Sequence, residues 1–387
     1  MLLTQDQKAL QEAARKFTRD VLLPDYQARE AIGQLDDALL KQMGALGFVG
    51  PDIPEEFGGM GLDAVSAGVV MEELAYGDFN IASYAVVQSL CGAILVKNAS
   101  SEIKADWLPS VCAGEKILAL SVTEPQAGSD ASGIRLKAER DGEYYVLSGE
   151  KASTTFSDSA DAFIIFARTS GEPGQARGIS AFFVPSDSVG LSTTRYNDLG
   201  SHVTGRGSLF LDQVRVPVAH LLGAEGKGFS EVMAGFDYSR ALIALQCIGA
   251  AQASVDEAWS YSKEREAFGA PIAQFQGVTF PLVEAETHLA AARALSYRTL
   301  ALRDQNEAHT VEAAMVKWLA PKTAVDVIHQ CLLTFGHYGW SKDLPHQQRL
   351  RDVMGLEIGD GMANIMKMIV ARARVGAAAD PRASIRK

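Results

Sequence analysis

Only four cysteines occur in 387 residues, at Cys91, Cys112, Cys247 and Cys331. They form no CxxC pair, and their wide spacing in apolar surroundings predicts buried free thiols in a reducing compartment. The seven histidines never fall at metal-ligand spacing and no HExxH is present, so no metal site is expected. His202, His288 and His309 read as surface or satisfied side chains. A Walker A sequence is absent, and so is a Rossmann fingerprint, which leaves nicotinamide chemistry without support. Positive charge is scarce: 36 Lys and Arg against 47 Asp and Glu give a net charge of −11. That balance argues against a nucleic-acid partner, which requires a basic surface. An anionic ligand is left with a local basic pocket rather than the global field.

Long apolar runs are missing too. The most apolar stretch, Leu242 to Ala253, is interrupted by Gln246 and is too short to span a bilayer. The segment from Met1 to Phe17 is charged throughout and reads as an amphipathic helix, not a signal peptide. The expectation is a cytoplasmic protein with no membrane insertion.

What remains is 47% apolar and 21% charged residues, the balance of a soluble globular chain. Its length predicts two or three domains. Residues 1–116 read as helical: Leu35, Leu39, Leu40, Met43 and Leu46 have helical spacing, as do Val65, Val69, Val70 and Leu74. The Gly- and Pro-rich segment Pro51 to Leu62 between them is a loop. Over residues 117–228 the pattern changes to strands. Ile134 to Glu139 alternates, Asp141-Gly142 turns the chain, and Tyr144 to Leu147, Phe163 to Ala167, Ile179 to Val184 and Ser208 to Val216 follow. This rhythm predicts a small antiparallel barrel or sandwich. Residues 229–387 return to helices, expected at Phe229 to Arg265, Phe275 to Arg303, Glu312 to Thr334 and Leu356 to Ala371, a four-helix bundle. The fold class is therefore α+β: an N-terminal helical domain, a middle β-barrel and a C-terminal four-helix bundle.

Several motifs stand in a fixed order. Leu120-Ser-Val-Thr-Glu-Pro-Gln-Ala-Gly-Ser-Asp130 opens the β domain, with Pro125 and Gly128 making a turn. Val122, Thr123 and Ser129 place amides and hydroxyls on one side of it, donors suited to the carbonyl oxygens of an isoalloxazine ring; a plain polar loop is the alternative. Lys151-Ala-Ser-Thr-Thr155 closes a strand with another hydroxyl and amide edge, or with ordinary turn chemistry. Asp237 and Arg240 are three apart on one helix face, a salt bridge or an anchor for a ligand's polar end. Arg265, ahead of the break Gly269 to Pro271, suits phosphate. Finally Arg351-Asp352 precedes Gly359-Asp-Gly-Met-Ala-Asn364, ahead of a helix from Ile365 to Arg372, where the acid reads as a helix cap or as a working carboxylate.

As a set these motifs resemble the acyl-CoA dehydrogenase family over nearly the whole chain. Val-Thr-Glu-Pro-Gln-Ala-Gly-Ser-Asp and Arg-x-x-Phe-Gly-x-Pro-Ile-x-x-Phe-Gln carry the resemblance. It implies FAD as cofactor and a flavin ring lined by Leu120, Val122, Thr123, Gly128 and Ser129, with Ser153 and Thr155 on the other flank. Arg265, Phe268, Phe275 and Gln276 match residues holding the FAD diphosphate and adenosine of a neighbouring subunit. Leu333, Gly336 and His337 complete that nucleotide site, commonly in a homotetramer. Met362 to Asn364 meet the flavin from the far side, and Ser129, Asp237, Arg240 and Gly361 contact the acyl-CoA. Counting back from Ile369-Val-Ala-Arg372, the catalytic carboxylate position is Asp360. The implied reaction is α-proton abstraction by Asp360 and β-hydride transfer to flavin N5. The thioester carbonyl is held by the Asp360 amide and an FAD ribityl hydroxyl. Electron-transfer flavoprotein is the implied acceptor.

Three positions depart from the family pattern. Asp360 stands where glutamate is usual, Ser153 where tryptophan is usual, and Gly336-His-Tyr-Gly339 replaces Gly-Gly-x-Gly, with Leu333 where glutamine is common. The family's alicyclic branch is similar in using aspartate, which points to cyclohexane-1-carboxyl-CoA, with short branched acyl-CoAs as the fallback. The competing readings are a flavin oxidase of the nitroalkane oxidase type, a carrier-protein-linked acyl dehydrogenase and an inactive FAD-binding scaffold.

Overall fold

A computed structural model describes residues 2–379; Met1 and residues 380–387, which the first and third expected domains include, lie outside them. The N-terminal region is α1 (Gln5–Phe17), α2 (Tyr26–Ile32), α3 (Asp37–Ala45), α4 (Ala64–Gly77), α5 (Phe79–Asn98) and α6 (Ser101–Cys112). Side-chain caps start several of them. Thr4 and Gln7 form a reciprocal capping box on α1, and Asp63 accepts from Ser66 N at 2.7 Å on α4. Asp78 caps α5 through Asn80 N and Ile81 N while pairing with Arg29 at 2.6 Å. Helix α5 corrects one sequence reading. By length and composition it can cross a bilayer, unlike Leu242 to Ala253, yet 78% of its apolar window is buried inside the fold. It is a core helix.

The strands are β1 (Leu118–Ser121), β2 (Lys137–Asp141), β3 (Tyr144–Thr154), β4 (Ala162–Arg168), β5 (Ile179–Pro185), β6 (Leu191–Arg195), β7 (Gly207–Pro217) and β8 (Leu221–Leu222). They form one sheet in the order β6-β7-β3-β2-β4-β5-β8, with β1 parallel to β4 on its free side. Strands β2 and β4 meet through one residue pair, Lys137 with Arg168. On a flat sheet β3 and β5 would lie roughly 14 Å apart, three strand spacings. The rings of Tyr145 on β3 and Phe182 on β5 instead pack 5.0 Å apart. The sheet is curled on itself, as the barrel reading expected.

The C-terminal region holds α7 (Gly228–Glu264), a two-residue hairpin of β9 (Glu266–Ala267) and β10 (Ala270–Pro271), α8 (Gln276–Asp304), α9 (Thr310–Thr334), α10 (His346–Ile358) and α11 (Ala363–Val375). The fourth helix expected at Leu356 to Ala371 is thus the end of α10, a break at residues 359–362, and most of α11. Helix α7 runs through the centre, against α4, α5, α8 and α9. Gly249 is what lets α4 approach it: a Cβ there would meet Glu72 O at 2.2 Å. The four cysteines are free and buried, and burial pushes the Cys112, Cys247 and Cys331 thiols up to about 12.

Candidate active site

Asp360 occupies the break between α10 and α11. Two glycines flank it, and it holds a left-handed backbone, φ +52°, a conformation that aspartate tolerates better than most residues. Gly361 follows at φ +104°, and a Cβ on it would reach Met366 Cε at 2.4 Å. A side chain at 361 would therefore be strained at that φ and would displace the end of Met366. Upstream, Asp352 fixes α10. Its carboxylate accepts from Tyr26 Oη at 2.7 Å, Asn80 Nδ2 at 3.1 Å and Ser201 N at 2.5 Å, joining four parts of the chain. Burial lifts Asp352 to about 7, against the pull of those donors.

Two cations close on the Asp360 turn. Arg240 on α7 donates through Nε to Asp360 O at 3.4 Å and pairs with Asp237 at 3.0 Å. Thr310 on α9 donates to the other Asp237 oxygen at 2.6 Å. Lys317 on α9, a residue that the motifs did not single out, donates to Leu356 O at 2.6 Å and Gly361 O at 3.3 Å. Burial raises the Asp360 carboxyl above the usual range, with Lys317 and Arg240 pulling against it. A sequence signal for Lys317 existed: it is one lysine in the apolar run Ala313 to Ala320, on the same face as buried Ala313, Ala314 and Ala320.

The polar loop after β1 and the end of β3 form one edge. Ala152 N donates to Thr123 O at 2.8 Å, and the hydroxyls of Ser121 and Thr154 meet at 2.7 Å. The pairing of β3 with β7 slips between Lys151 and Thr154, and there Ser153 turns to φ +58°. Such a bulge re-aims side chains beside a site. Arg206 donates to the Ser153 hydroxyl at 2.9 Å, held in turn by Asp198. Underneath, Lys151 is fully buried and donates to Val122 O at 2.9 Å and Glu124 at 2.8 Å. Glu124 also accepts from Arg135 N and Leu136 N. Burial pushes Glu124 up, but Lys151 and those amides outweigh it and hold the carboxylate low. Burial pushes Lys151 down to about 8 in spite of Glu124.

These parts converge. Ser129 lies against Met362 across a 3.5 Å Oγ–Sδ contact, bringing the loop after β1 to the Asp360 turn. Gly128 and Ser129 thus adjoin the turn of Asp360, Gly361 and Met362 with Arg240 and Asp237, whereas Leu120, Val122, Thr123, Ser153 and Thr155 belong to the edge behind that loop; Asn364 is exposed on the first turn of α11. The remaining expected residues are elsewhere. Arg265, Phe268, Phe275 and Gln276 are exposed around the β9–β10 hairpin, with Phe268 98% exposed at φ +53°. Leu333, Gly336 and His337 lie near them, since Tyr261 at the end of α7 stacks on Phe335 at 4.3 Å. Among the described residues no hydrogen bond or ion pair links this outer group to the Asp360 group.

Models of the acyl-CoA dehydrogenase N-terminal, middle and C-terminal domains match residues 4–115, 119–214 and 226–374. The chain belongs to the acyl-CoA dehydrogenase family. It is 34% identical over 96% of its length to the probable acyl-CoA dehydrogenase YngJ of Bacillus subtilis (strain 168), covering 98% of that protein. The butyryl-CoA dehydrogenase structure from Megasphaera elsdenii superposes with a TM-score of 0.93 at 31% identity, over 97% of this chain and 99% of that one. A glutaryl-CoA dehydrogenase from Mycobacterium smegmatis, in complex with FADH2, gives 0.91 at 26% identity, over 97% and 95%.

As an acyl-CoA dehydrogenase the chain is an FAD-dependent oxidoreductase acting on acyl-CoA. The edge formed by the loop after β1 and the end of β3 fits the isoalloxazine. Among the described residues the Thr123 and Thr155 hydroxyls have no protein partner, and a Cβ on Gly128 would meet nothing within 4 Å. Donors without protein acceptors beside open space are what a ring with carbonyl edges requires.

Proposed function

We propose that this acyl-CoA dehydrogenase removes the α-proton of its thioester with Asp360 and takes a ring-bearing substrate, cyclohexane-1-carboxyl-CoA, or failing that a short branched acyl-CoA. The observation carrying the first part is the turn at 359–362, where Asp360 stands in a left-handed break with its carboxyl raised by burial. A raised carboxyl is a stronger base once ionised. The Asp360 backbone N–H donates to no protein group among the described residues, so it is free to bind the thioester carbonyl as negative charge develops there. One such donor contributes roughly 3 kcal/mol. Arg240 and Asp237 bind polar atoms of the CoA arm, and Thr123, Ser129 and Thr155 orient the flavin ring. FAD held there would supply the acceptor for the β-hydrogen and its electron pair.

The ring assignment rests on reach. Aspartate is one carbon–carbon bond shorter than glutamate, and a displacement of ~1 Å costs about a hundredfold in rate. A tertiary α-carbon in a ring, with its β-carbon tied back, brings the proton closer to a short base. Comparing kcat/KM for cyclohexanecarboxyl-, isobutyryl-, butyryl- and octanoyl-CoA decides it. The expected order places the ring first and isobutyryl second; a preference for either straight chain overturns the ring assignment.

The outer group is proposed to hold the FAD diphosphate and adenosine of a second copy, within a homotetramer. An aromatic side chain displayed at 98% exposure beside a free arginine supports a surface that another copy covers. Arg265→Ala should then lose FAD and weaken the assembly together, because one ligand bridges two chains. Sedimentation velocity with flavin absorbance checks this: an FAD-replete monomer contradicts it. Electron-transfer flavoprotein is the proposed acceptor for the reduced enzyme.

A further inference from the structure

Lys317 is 1% exposed, in the middle of α9, and its ammonium points at the turn that displays Asp360. Its two acceptors bracket that residue. Leu356 O belongs to the last turn of α10, and Gly361 O follows Asp360 directly. The residues between them, 357–360, are consequently fixed at both ends by one side chain. Carbonyl oxygens at a helix C-terminus carry partial negative charge, so an ammonium is the favoured occupant. A buried lysine is costly without compensation. No salt bridge to it occurs among the described residues, and its acceptors are neutral backbone groups.

We propose that Lys317 is a positioning residue for Asp360: it ties the end of α10 to Gly361 so that the carboxyl is presented at a fixed place, and its charge holds that carboxyl in the basic form. This rests on the reading of Asp360 as the base. The groups acting on the pair come from two helices. Arg240 and Asp237 face from α7, with Cys247 deeper on the same helix, and Glu357 lies on α10. Burial pushes Lys317 down while Asp360, Cys247 and Glu357 push it up and Arg240 opposes them. Asp360 is raised by burial and lowered by Lys317 first, then Arg240. The sign is therefore fixed: removing the ammonium raises Asp360 further, and the ionised base is populated only at higher pH.

Two substitutions separate tether from charge. Lys317→Gln keeps an N–H donor without charge, and Lys317→Met keeps neither. The readout is the carboxyl infrared band of Asp360 in the holoenzyme, identified by subtraction of Asp360→Asn and titrated with pH. Both variants are expected to move its midpoint upward by about one pH unit, a tenfold gain in proton affinity. In addition, Lys317→Met slows flavin reduction at saturating acyl-CoA more than Lys317→Gln does, with little change in Kd for a non-oxidisable acyl-CoA analogue. A band that titrates as wild type in both variants overturns the proposal, even if Asp360→Asn has confirmed the base. Should both variants lose FAD, wild-type enzyme labelled at the lysine ε-carbon decides it. A Lys317 resonance that steps at the pH of Asp360 titration, and does not in Asp360→Asn, supports the coupling; one that never steps refutes it.

Discussion

Asp360→Asn lowers the rate of flavin reduction by an acyl-CoA about a thousandfold or more, while FAD and the substrate still bind. A general base contributes about 10²- to 10⁴-fold where it takes a proton in the transition state, and the neighbouring carboxylate of Asp237 is already engaged by Arg240 and Thr310. Ser239 on α7, next to Arg240, is 1% exposed and hydrogen bonded to Phe236 O at 3.4 Å. A buried hydroxyl of that kind does not replace a carboxylate. Asparagine matches aspartate in size, so the turn, the Arg240 contact to Asp360 O and the Lys317 contacts persist. The loss should consequently fall on the chemical step rather than on binding. Stopped-flow reduction under anaerobic conditions reads it. A rate within tenfold of wild type would place the base elsewhere.

Lys151→Met is expected to cost about 3–5 kcal/mol of stability, because it leaves Glu124 buried with its charge uncompensated. Both side chains are inaccessible, 0% and 2% exposed, and separated by 2.8 Å. The effect is not confined to stability. Lys151 also holds Val122 O, and Glu124 gathers the amides of Arg135 and Leu136, so the loop carrying Thr123 and Ser129 loses its support. FAD affinity should fall with the melting temperature. Replacing both partners, as Lys151→Met with Glu124→Met, should restore part of the lost melting temperature, since an apolar pair avoids the unpaired charge. It should not restore FAD affinity, because the backbone contacts are still missing. If the single and double variants melt alike, the pair is not coupled as described.

The long helices were legible because their apolar period is sustained: α7, α8 and α9 fall within a few residues of the expected spans. The strands β3, β4, β5 and β7 were legible for the matching reason, alternating or continuous apolar runs bounded by turns. Strand β6 was not. Four of its five residues are exposed, so it lies at the sheet edge without an apolar face to mark it. Strand β1 is also hidden in the sequence, being four residues long and running into the polar loop Leu120 to Asp130. The break that splits the last expected helix was visible in its glycines but not in its periodicity. That conflict between local chemistry and pattern falls at the candidate base, where strain is commonly placed.

Within the site, the motifs gave residues but not their supports. Glu124 and Lys151 both stood inside quoted motifs, yet their pairing spans 27 positions and only the sheet brings them together. Asp352 set the register of Asp360 in the sequence; its role as an anchor for Tyr26, Asn80 and Ser201 depends on contacts up to 326 residues apart. Arg240 was placed beside Asp237 correctly by helical spacing. Its reach to the Asp360 carbonyl is a tertiary fact. The separation of Arg265, Phe268, Phe275 and Gln276 from the rest follows from the hairpin at the end of α7, which carries them away from Asp360 within the same chain.

Anaerobic mixing of the purified yellow holoenzyme with an acyl-CoA, followed by flavin absorbance and by analysis of the thioester, tests α,β-dehydrogenation most directly. Cyclohexanecarboxyl-CoA, isobutyryl-CoA and butyryl-CoA are the acyl donors, with a nitroalkane and an acyl-carrier thioester run alongside. At least the ring or branched thioester is expected to bleach the flavin within seconds and to be recovered as its α,β-unsaturated product, one per flavin reduced. A flavin that stays oxidised with every acyl-CoA, or that is bleached by the nitroalkane alone, would contradict it.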